Sequence, residues 1–283
     1  MALPASGNSI SLDQMHTEVF STSGSSVSIN DADIRGMIFK SSASEMSFSE
    51  WHEATPPIAV THIAKYDYTG SSSMSATTTM SLSGLSSSPT TLVIGAHWMD
   101  KNHSGLSPSS PSLSSSGGHT VNSDLVFNDD AFDEKKYLRW YRVYIGTATS
   151  VTLTGTKGGF GSTPSGGGWR IWECTGNLQL GATTKSPANY TESVSEWSNS
   201  SPASSTAQVS INANKRDVVF VSTVGNATIP AAIANVDSGS EVTGNFSRMG
   251  YDTRGSSDTG SVTYSSNCGG AGGGITAVRY YLS

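Results

Sequence analysis

The sequence predicts a mainly β protein: a jelly-roll-like antiparallel β-sandwich preceded by a small N-terminal module of short helices. Three observations predict this fold class. Serine, threonine and glycine make up about 40% of the 283 residues, and these residues favour turns and strand surfaces over helix interiors. Ten segments rich in Val, Ile, Thr, Tyr and Trp follow residue 57 and lie between clusters of Gly, Ser, Pro or Asn. The first 54 residues instead carry three repeated helix-start patterns.

Composition and charge exclude several classes of protein. Charged residues are 13% of the chain against a usual value of about 25%, and aromatic residues reach 8%, so a folded chain is favoured over disorder. The net charge of −6 provides no positive field for nucleic acid or acidic lipid. No apolar run approaches the roughly 18 residues of a membrane helix, and no secretory signal is visible. We therefore expect neither nucleic acid nor membrane as a partner.

Three related units occupy residues 1–54, which we predict to be a separate module. The units are Ile10–Asp13, Val27–Asp31 and Met46–Glu50, and each contains an apolar residue, a serine, a second apolar residue and polar residues. The helices predicted from them are short, at about 12–20, 31–39 and 48–53. Elements of this size cannot bury enough surface to fold alone, so we expect the module to dock on another protein.

Each unit also has the residues that begin a helix. Ser11 with Gln14, and Ser47 with Glu50, have the spacing of a capping box, in which two side chains satisfy the free N–H groups of the first turn. Asn30 supplies the cap in the middle unit. These caps predict where the three helices start.

The segments LPASG, ISLDQMHTEV, SINDADIRGM and MSFSEWHEA together resemble an N-terminal module of tailed-bacteriophage virion proteins, which reads roughly LPxSG-x-ISL…ISL-x-D-x-x-R…ISMSDF. The likeness covers residues 3 to about 54. Arg35 stands at the usual arginine position, and Trp51-His52-Glu53 replaces the more frequent aromatic-Gly pair. The resemblance implies that the module docks on virion partners through these residues: Ile10, Leu12, Ile29, Ile34, Arg35, Met37, Phe39, Phe48 and Trp51.

The second predicted domain, residues 55–283, begins at a Pro56-Pro57 breaker and consists of strands. The alternation in 150–155 and 169–174 predicts strands with two different faces, whereas the continuous apolar run Val218–Val221 predicts a strand covered on both faces. The predicted strands are 58–68, 78–82, 91–98, 137–145, 150–155, 169–174, 208–211, 218–224, 260–265 and 275–282. Their order resembles that of a sandwich domain common in phage appendages.

Catalytic and metal motifs are not found. There is no G-x-S-x-G, no S-x-x-K, no cysteine near a histidine and no recognisable pair of acidic residues for glycoside cleavage. The pair His97/His103 lacks metal-ligand spacing. The acidic run 128–134 offers oxygen atoms for Ca²⁺ but lacks the register of a calcium loop, so a solvated turn is the preferred interpretation. We expect no enzyme activity, no cofactor and no metal.

Two further residue sets leave alternatives open. Exposed aromatic rings could stack on sugars, although aromatic residues that alternate in strands are more often part of a core. The candidates for such a ligand platform are Trp98, Trp140, Trp169, Trp172 and Trp197. Cys174 and Cys268 are expected to be buried thiols, with a disulfide as the alternative.

The expected function is that of a structural component of a tailed-phage virion, a tail fibre or tail-associated appendage assembled in the host cytoplasm. The expected partners are other virion proteins of the tail, baseplate or capsid. A homo-oligomer, in particular a trimer, is expected by analogy with other appendages. A capsid decoration or head-fibre protein is one alternative, and an adhesin that binds a host surface glycan is another.

Overall fold

The structure is a computed structural model that describes residues 11, 13–15, 17, 28, 35, 38, 57–70, 76–102, 111–129, 135–157, 162–185, 206–225, 229–255, 259–268 and 274–282. The described residues are mainly in antiparallel strands, which confirms the predicted mainly β class. The strands are β1 (Val60–Gly70), β2 (Ala76–Ser83), β3 (Thr90–Asn102), β4 (Ser112–Ser115), β5 (Val121–Asp129), β6 (Lys135–Gly146), β7 (Ser150–Lys157), β8 (Ser162–Thr175), β9 (Leu178–Lys185), β10 (Thr206–Ala213), β11 (Val218–Val224), β12 (Val242–Gly244), β13 (Ser247–Thr253), β14 (Gly260–Asn267) and β15 (Gly274–Leu282).

Strands β1 to β8 form a first sandwich of two sheets. One sheet has the order β1-β8-β3-β6-β5 and the other has the order β2-β7-β4. The pairs β1–β8, β2–β7 and β3–β6 are nested, so the chain folds like one long hairpin wrapped into two layers. This nested pairing is that of a jelly roll, which confirms the predicted jelly-roll-like sandwich for this half.

Strands β9 to β15 form a second sandwich. Its larger sheet has the order β12-β13-β11-β15-β9, and its smaller sheet pairs β10 with β14. The two sandwiches stack through their larger sheets, because residues of both sheets share one buried cluster. The molecule therefore has four layers in the order β2-β7-β4, the β3-centred sheet, the β11-centred sheet and β10-β14. We call the contact between the two larger sheets the seam.

Three apolar clusters fill the spaces between the four layers. The first lies inside the first sandwich and includes Trp98, Trp169 and Leu153. The second fills the seam with Trp140, Trp172 and Phe220 among others. The third lies inside the second sandwich. Both middle sheets thus have two buried faces, which explains the continuous apolar sequence of β11, where all seven residues are buried.

Each of the ten predicted strands overlaps a strand of the structure, and Val218–Val224 matches β11 at both ends. Alternation in β8 is also confirmed, because Trp169 and Ile171 face the first cluster while Trp172 and Cys174 face the seam. Strands β4, β5, β9, β12 and β13 were not predicted. The predicted boundary between residues 54 and 55 lies outside the described residues and stays a prediction.

Candidate functional site

The first helical turn of the N-terminal module has the predicted capping box. The Ser11 N–H donates to Gln14 Oε1 at 2.7 Å, and the Gln14 N–H donates to Ser11 Oγ at 3.1 Å. The Met15 N–H donates to the Ser11 carbonyl at 3.1 Å, which is the first helical hydrogen bond. This reciprocal pair confirms the predicted helix start at Ser11.

Most of the predicted docking residues lie outside the described residues: Ile10, Leu12, Ile29, Ile34, Met37, Phe39, Phe48 and Trp51. Arg35 is described, and its side chain is buried. Ile38, which follows in the same turn, is also buried, and its N–H donates to the Arg35 carbonyl at 3.2 Å. The burial of Arg35 does not favour direct contact between its guanidinium and a partner.

The tryptophans proposed as a sugar platform are core residues in four of five cases. Trp98, Trp140, Trp169 and Trp172 are each at most 1% exposed, and Trp197 lies outside the described residues. Their rings pack on other rings, with centroids 5.2 Å apart for Trp98–Trp169 and 5.7 Å apart for Trp140–Trp172. These four residues therefore form no exposed stacking surface, and the alternative of a packed aromatic core is confirmed for them.

Both cysteines are buried free thiols, as expected. Burial raises the pKa of the Cys174 thiol far above its usual range, so this side chain is not a nucleophile. Within the described residues no group of histidine, cysteine, aspartate and glutamate side chains could hold a metal ion. Residues 130–134 of the acidic run and His103 lie outside the described part of the chain.

The most unusual polar group in the described structure is a charged cluster buried in the seam, which we call the seam cluster. It consists of Asp67 on β1, His97 on β3, Arg170 on β8 and the backbone of the β12–β13 hairpin. Arg170 and His97 are both fully buried. Arg170 makes an ion pair with Asp67, whose side chain is 33% exposed.

Arg170 is held by backbone groups from both sandwiches. Its guanidinium donates to the Trp169 carbonyl at 2.9 Å, to the Tyr66 carbonyl at 3.4 Å and to the Thr243 carbonyl at 3.2 Å. The last bond crosses the seam from β8 to β12. Gly244 lies so close that an added Cβ would overlap the guanidinium and would lie 3.1 Å from His97 Cε1. The hairpin therefore fits over the cluster only because residue 244 has no side chain.

The electrostatics of the seam cluster keep His97 neutral. Burial and then the charge of Arg170 lower the pKa of His97 well below its ordinary value of 6.5, and the backbone of Asn245 opposes this more weakly. Neither ring nitrogen makes a hydrogen bond of standard geometry with any group that the structure describes. Burial also lowers the pKa of Arg170, while Asp67 raises it. Because Arg170 and His97 are fully buried and only Asp67 reaches solvent, the chemistry of the cluster is that of a buried charge and a buried base, not that of an open site.

Sequence reasoning missed the seam cluster. His97 entered the sequence-based predictions only in a metal pair with His103, and no role was predicted for Arg170. One sequence feature could have indicated it: an arginine lies between two tryptophans on a predicted strand. An arginine buried among such residues needs a partner for its charge. What the sequence could not provide was the second sheet that covers it.

Comparison with protein-family models, with curated proteins and with solved structures finds no match to this chain. Among the described residues no helix is both long and apolar enough to cross a membrane.

Proposed function

We propose that this chain is a structural protein of a tailed-bacteriophage virion, in the form of a tail fibre or tail-associated appendage. In this proposal residues 1–54 dock onto other proteins of the tail or baseplate, and the stacked sandwiches are exposed on the particle. The chain acts by binding, carries no catalytic activity and forms a homo-oligomer. The observation that carries the proposal is the ordered three-unit repeat in residues 3 to 54, with its likeness to a virion module.

Two features of the described residues support this interpretation. The capping box at Ser11 and Gln14 has the geometry that the repeat pattern implies. The outer face of the β2-β7-β4 sheet carries uncharged hydroxyl side chains, with Thr77, Thr79 and Ser81 exposed on β2. A polar outer face of this kind suits a protein that stands in solvent on a particle.

Incorporation into particles tests the docking role of the module. Leu12→Asp and Ile34→Asp should each reduce the amount of the full-length chain in purified particles at least tenfold, because a carboxylate cannot enter an apolar partner groove. Thr79→Asp is the matched control, since it places the same charge on an exposed strand position of the sandwich. Normal incorporation of both module variants would contradict the proposal.

The same particles distinguish the tail from the capsid. A tail protein should be present in a few to a few tens of copies per particle, whereas a decoration protein would be present in hundreds. In the capsid alternative, residues 1–54 are still the docking module, but they bind capsid proteins instead of tail proteins. An adhesin for host glycans would need a binding surface other than Trp98, Trp140, Trp169 and Trp172, because these rings are buried.

A further inference from the structure

The β12–β13 hairpin is the part of the second sandwich that covers the seam cluster. β12 is an edge strand of three residues, Val242–Gly244, and it pairs only with β13 in its sheet. The link to the first sandwich includes the hydrogen bond from Arg170 to the Thr243 carbonyl. At the turn, Phe246 has a positive φ of 62°, and an added Cβ on Gly166 of β8 would lie 2.9 Å from its ring. β12 and the turn that joins it to β13 are therefore a short edge element held over a buried charge, whereas β13 itself pairs with β11 along its whole length.

The charges around His97 are unbalanced toward the positive. Arg170 on β8 faces it, and Asp67 on β1 is the carboxylate that pairs with Arg170. His62 on β1 also lies in the field of Arg170 and of Lys65. From the second sandwich, the Thr243–Asn245 backbone faces the cluster, while Arg248 of β13 pairs with Glu241 and donates to the Pro230 carbonyl. Among the described side chains no second carboxylate is available to compensate a charge on His97.

Protonation of His97 would place a second cation beside Arg170 in a site that excludes water. A buried charge without a partner is strongly unfavourable, and like charges at short range add to the cost. The structure can relieve this cost by moving β12 and its turn away, which lets water reach both side chains. β12 and this turn are the least anchored cover of the cluster, because β12 pairs only with β13, whereas every other wall is an internal strand of a five-stranded sheet or the long strand β1. The turn has one further backbone bond, from the Gly225 N–H to the Phe246 carbonyl at 2.8 Å.

We propose that His97 and Arg170 make β12 and the turn to β13, residues 242–246, an acid-released latch, closed over the seam when His97 is neutral and open when it is protonated. Closing of the latch is coupled to the release of a proton from His97. A histidine whose folded pKa is lowered stabilises the closed form fully above pH 6.5, and this stability is lost as the pH falls below 6.5. Uptake of one proton on opening raises the open population about tenfold for each pH unit below that value.

Hydrogen exchange on the full-length chain tests the latch. Between pH 7.5 and 5.5 the amides of 242–247 should exchange about tenfold faster after correction for intrinsic rates, as expected for one coupled proton. The amides of β7, in the outermost layer of the first sandwich, should show no such change. An unchanged rate in the hairpin would overturn the proposal.

Histidine variants assign the effect to a residue. His97→Gln should abolish the acid response, because glutamine does not titrate, whereas His119→Gln and His62→Gln should retain it. An equal response in His97→Gln, or its loss in His62→Gln, would overturn the assignment to His97. If His97→Gln does not fold, NMR titration of the His97 ring in the unsubstituted chain replaces it: a ring that stays neutral in the closed form at pH 5.5 supports the latch, and ordinary titration near pH 6.5 overturns it.

Discussion

Trp140 shows how one side chain joins two sheets of this molecule. It lies on β6 of the first sandwich, its ring centroid is 5.6 Å from that of Phe220 on β11, and its Nε1–H donates to Thr276 Oγ1 on β15 at 3.1 Å. Thr276 in turn shares a hydrogen bond with Ser222 at 2.6 Å. The ring and its polar atom therefore both contribute to the seam, which is typical of a buried tryptophan with a partner.

Trp140→Ala should lower the free energy of unfolding by about 3–5 kcal/mol, because it removes a large buried ring and leaves a cavity. Trp140→Phe should cost less, since most of the ring volume remains. Tyr281→Ala is the control, because Tyr281 is an exposed side chain on β15. Chemical denaturation measures all three, and a loss below about 1 kcal/mol for Trp140→Ala would contradict the seam as a packed core.

The two thiols should be inert in the folded chain. Cys174 and Cys268 are fully buried, and burial raises the pKa of Cys174. A thiol reagent at pH 8 should therefore label neither residue in native protein and both residues in denaturant. Rapid native labelling of Cys174, or failure to find two free thiols after denaturation, would show that this description is wrong.

At the scale of elements, Arg142 connects a buried ion pair of the first sandwich to the start of β9 in the second. Arg142 of β6 bonds Asp124 of β5 with 3.1 Å between Nε and Oδ2, and it also donates to the Leu178 carbonyl at the start of β9. The Asp124 side chain is 4% exposed. Arg142 therefore connects β5 and β6 to β9, and its charge explains how an aspartate is tolerated within β5.

Arg142→Met should destabilise the fold by about 3–5 kcal/mol, because it leaves the Asp124 charge buried and unpaired. The double substitution Arg142→Met with Asp124→Leu should recover part of this loss, since no charge then remains buried. Lys65→Met is the matched control, because Lys65 is 55% exposed beside Asp67 and such surface pairs contribute at most about 1 kcal/mol. Equal losses in unfolding free energy for the single and double variants would contradict the account.

Element prediction from sequence succeeded where hydrophobic pattern and strand propensity agreed. The apolar run of β11 and the alternation of β7 are visible without any tertiary information. β5 was missed because Asn122, Ser123 and Asp124 have low strand propensity, and its pairing depends on Arg142 from another strand. β13 was missed for a similar reason, since Gly250 and Asp252 interrupt its pattern.

At the scale of the whole molecule, two sandwiches share the seam and form one four-layer body. The sequence predicted one jelly-roll-like sandwich over residues 55–283 without its strand pairing, and it did not predict that the seventh and later strands of the list belong to a second sandwich. Stacking depends on which sheet faces are apolar and on which distant part of the chain covers each of them. β3 is buried on both faces, and its apolar sequence does not identify the sheet that covers each face. The seam cluster depends on that stacking, so it could not be predicted either.

Alkaline pH should unfold the molecule through its buried tyrosines. Burial raises the pKa of Tyr280 well above the ordinary value of 10.0, and burial together with Asp252 does the same for Tyr264. A raised folded pKa gives stability that is fully present below pH 10 and is lost as the pH rises above it. Burial also raises the pKa of Tyr141 and Tyr251, and each such group adds up to about 1.4 kcal/mol per pH unit to the slope.

Denaturation at a series of pH values above 10 measures this slope. Tyr264→Phe should reduce it by up to about 1.4 kcal/mol per pH unit, because one titrating group is removed, whereas Tyr144→Phe, at a side chain that is 39% exposed, should leave it unchanged. A slope in Tyr264→Phe equal to that of the unsubstituted chain would show that Tyr264 is not part of the alkaline transition.

The proposed virion role is tested most directly by quantitative mass spectrometry of purified phage particles from the genome that encodes this chain. The account predicts the chain in washed particles at a few to a few tens of copies, and it predicts loss of the chain when Leu12→Asp and Ile34→Asp are combined. Absence of the unsubstituted chain from intact particles, while it accumulates free in the lysate, would contradict the account.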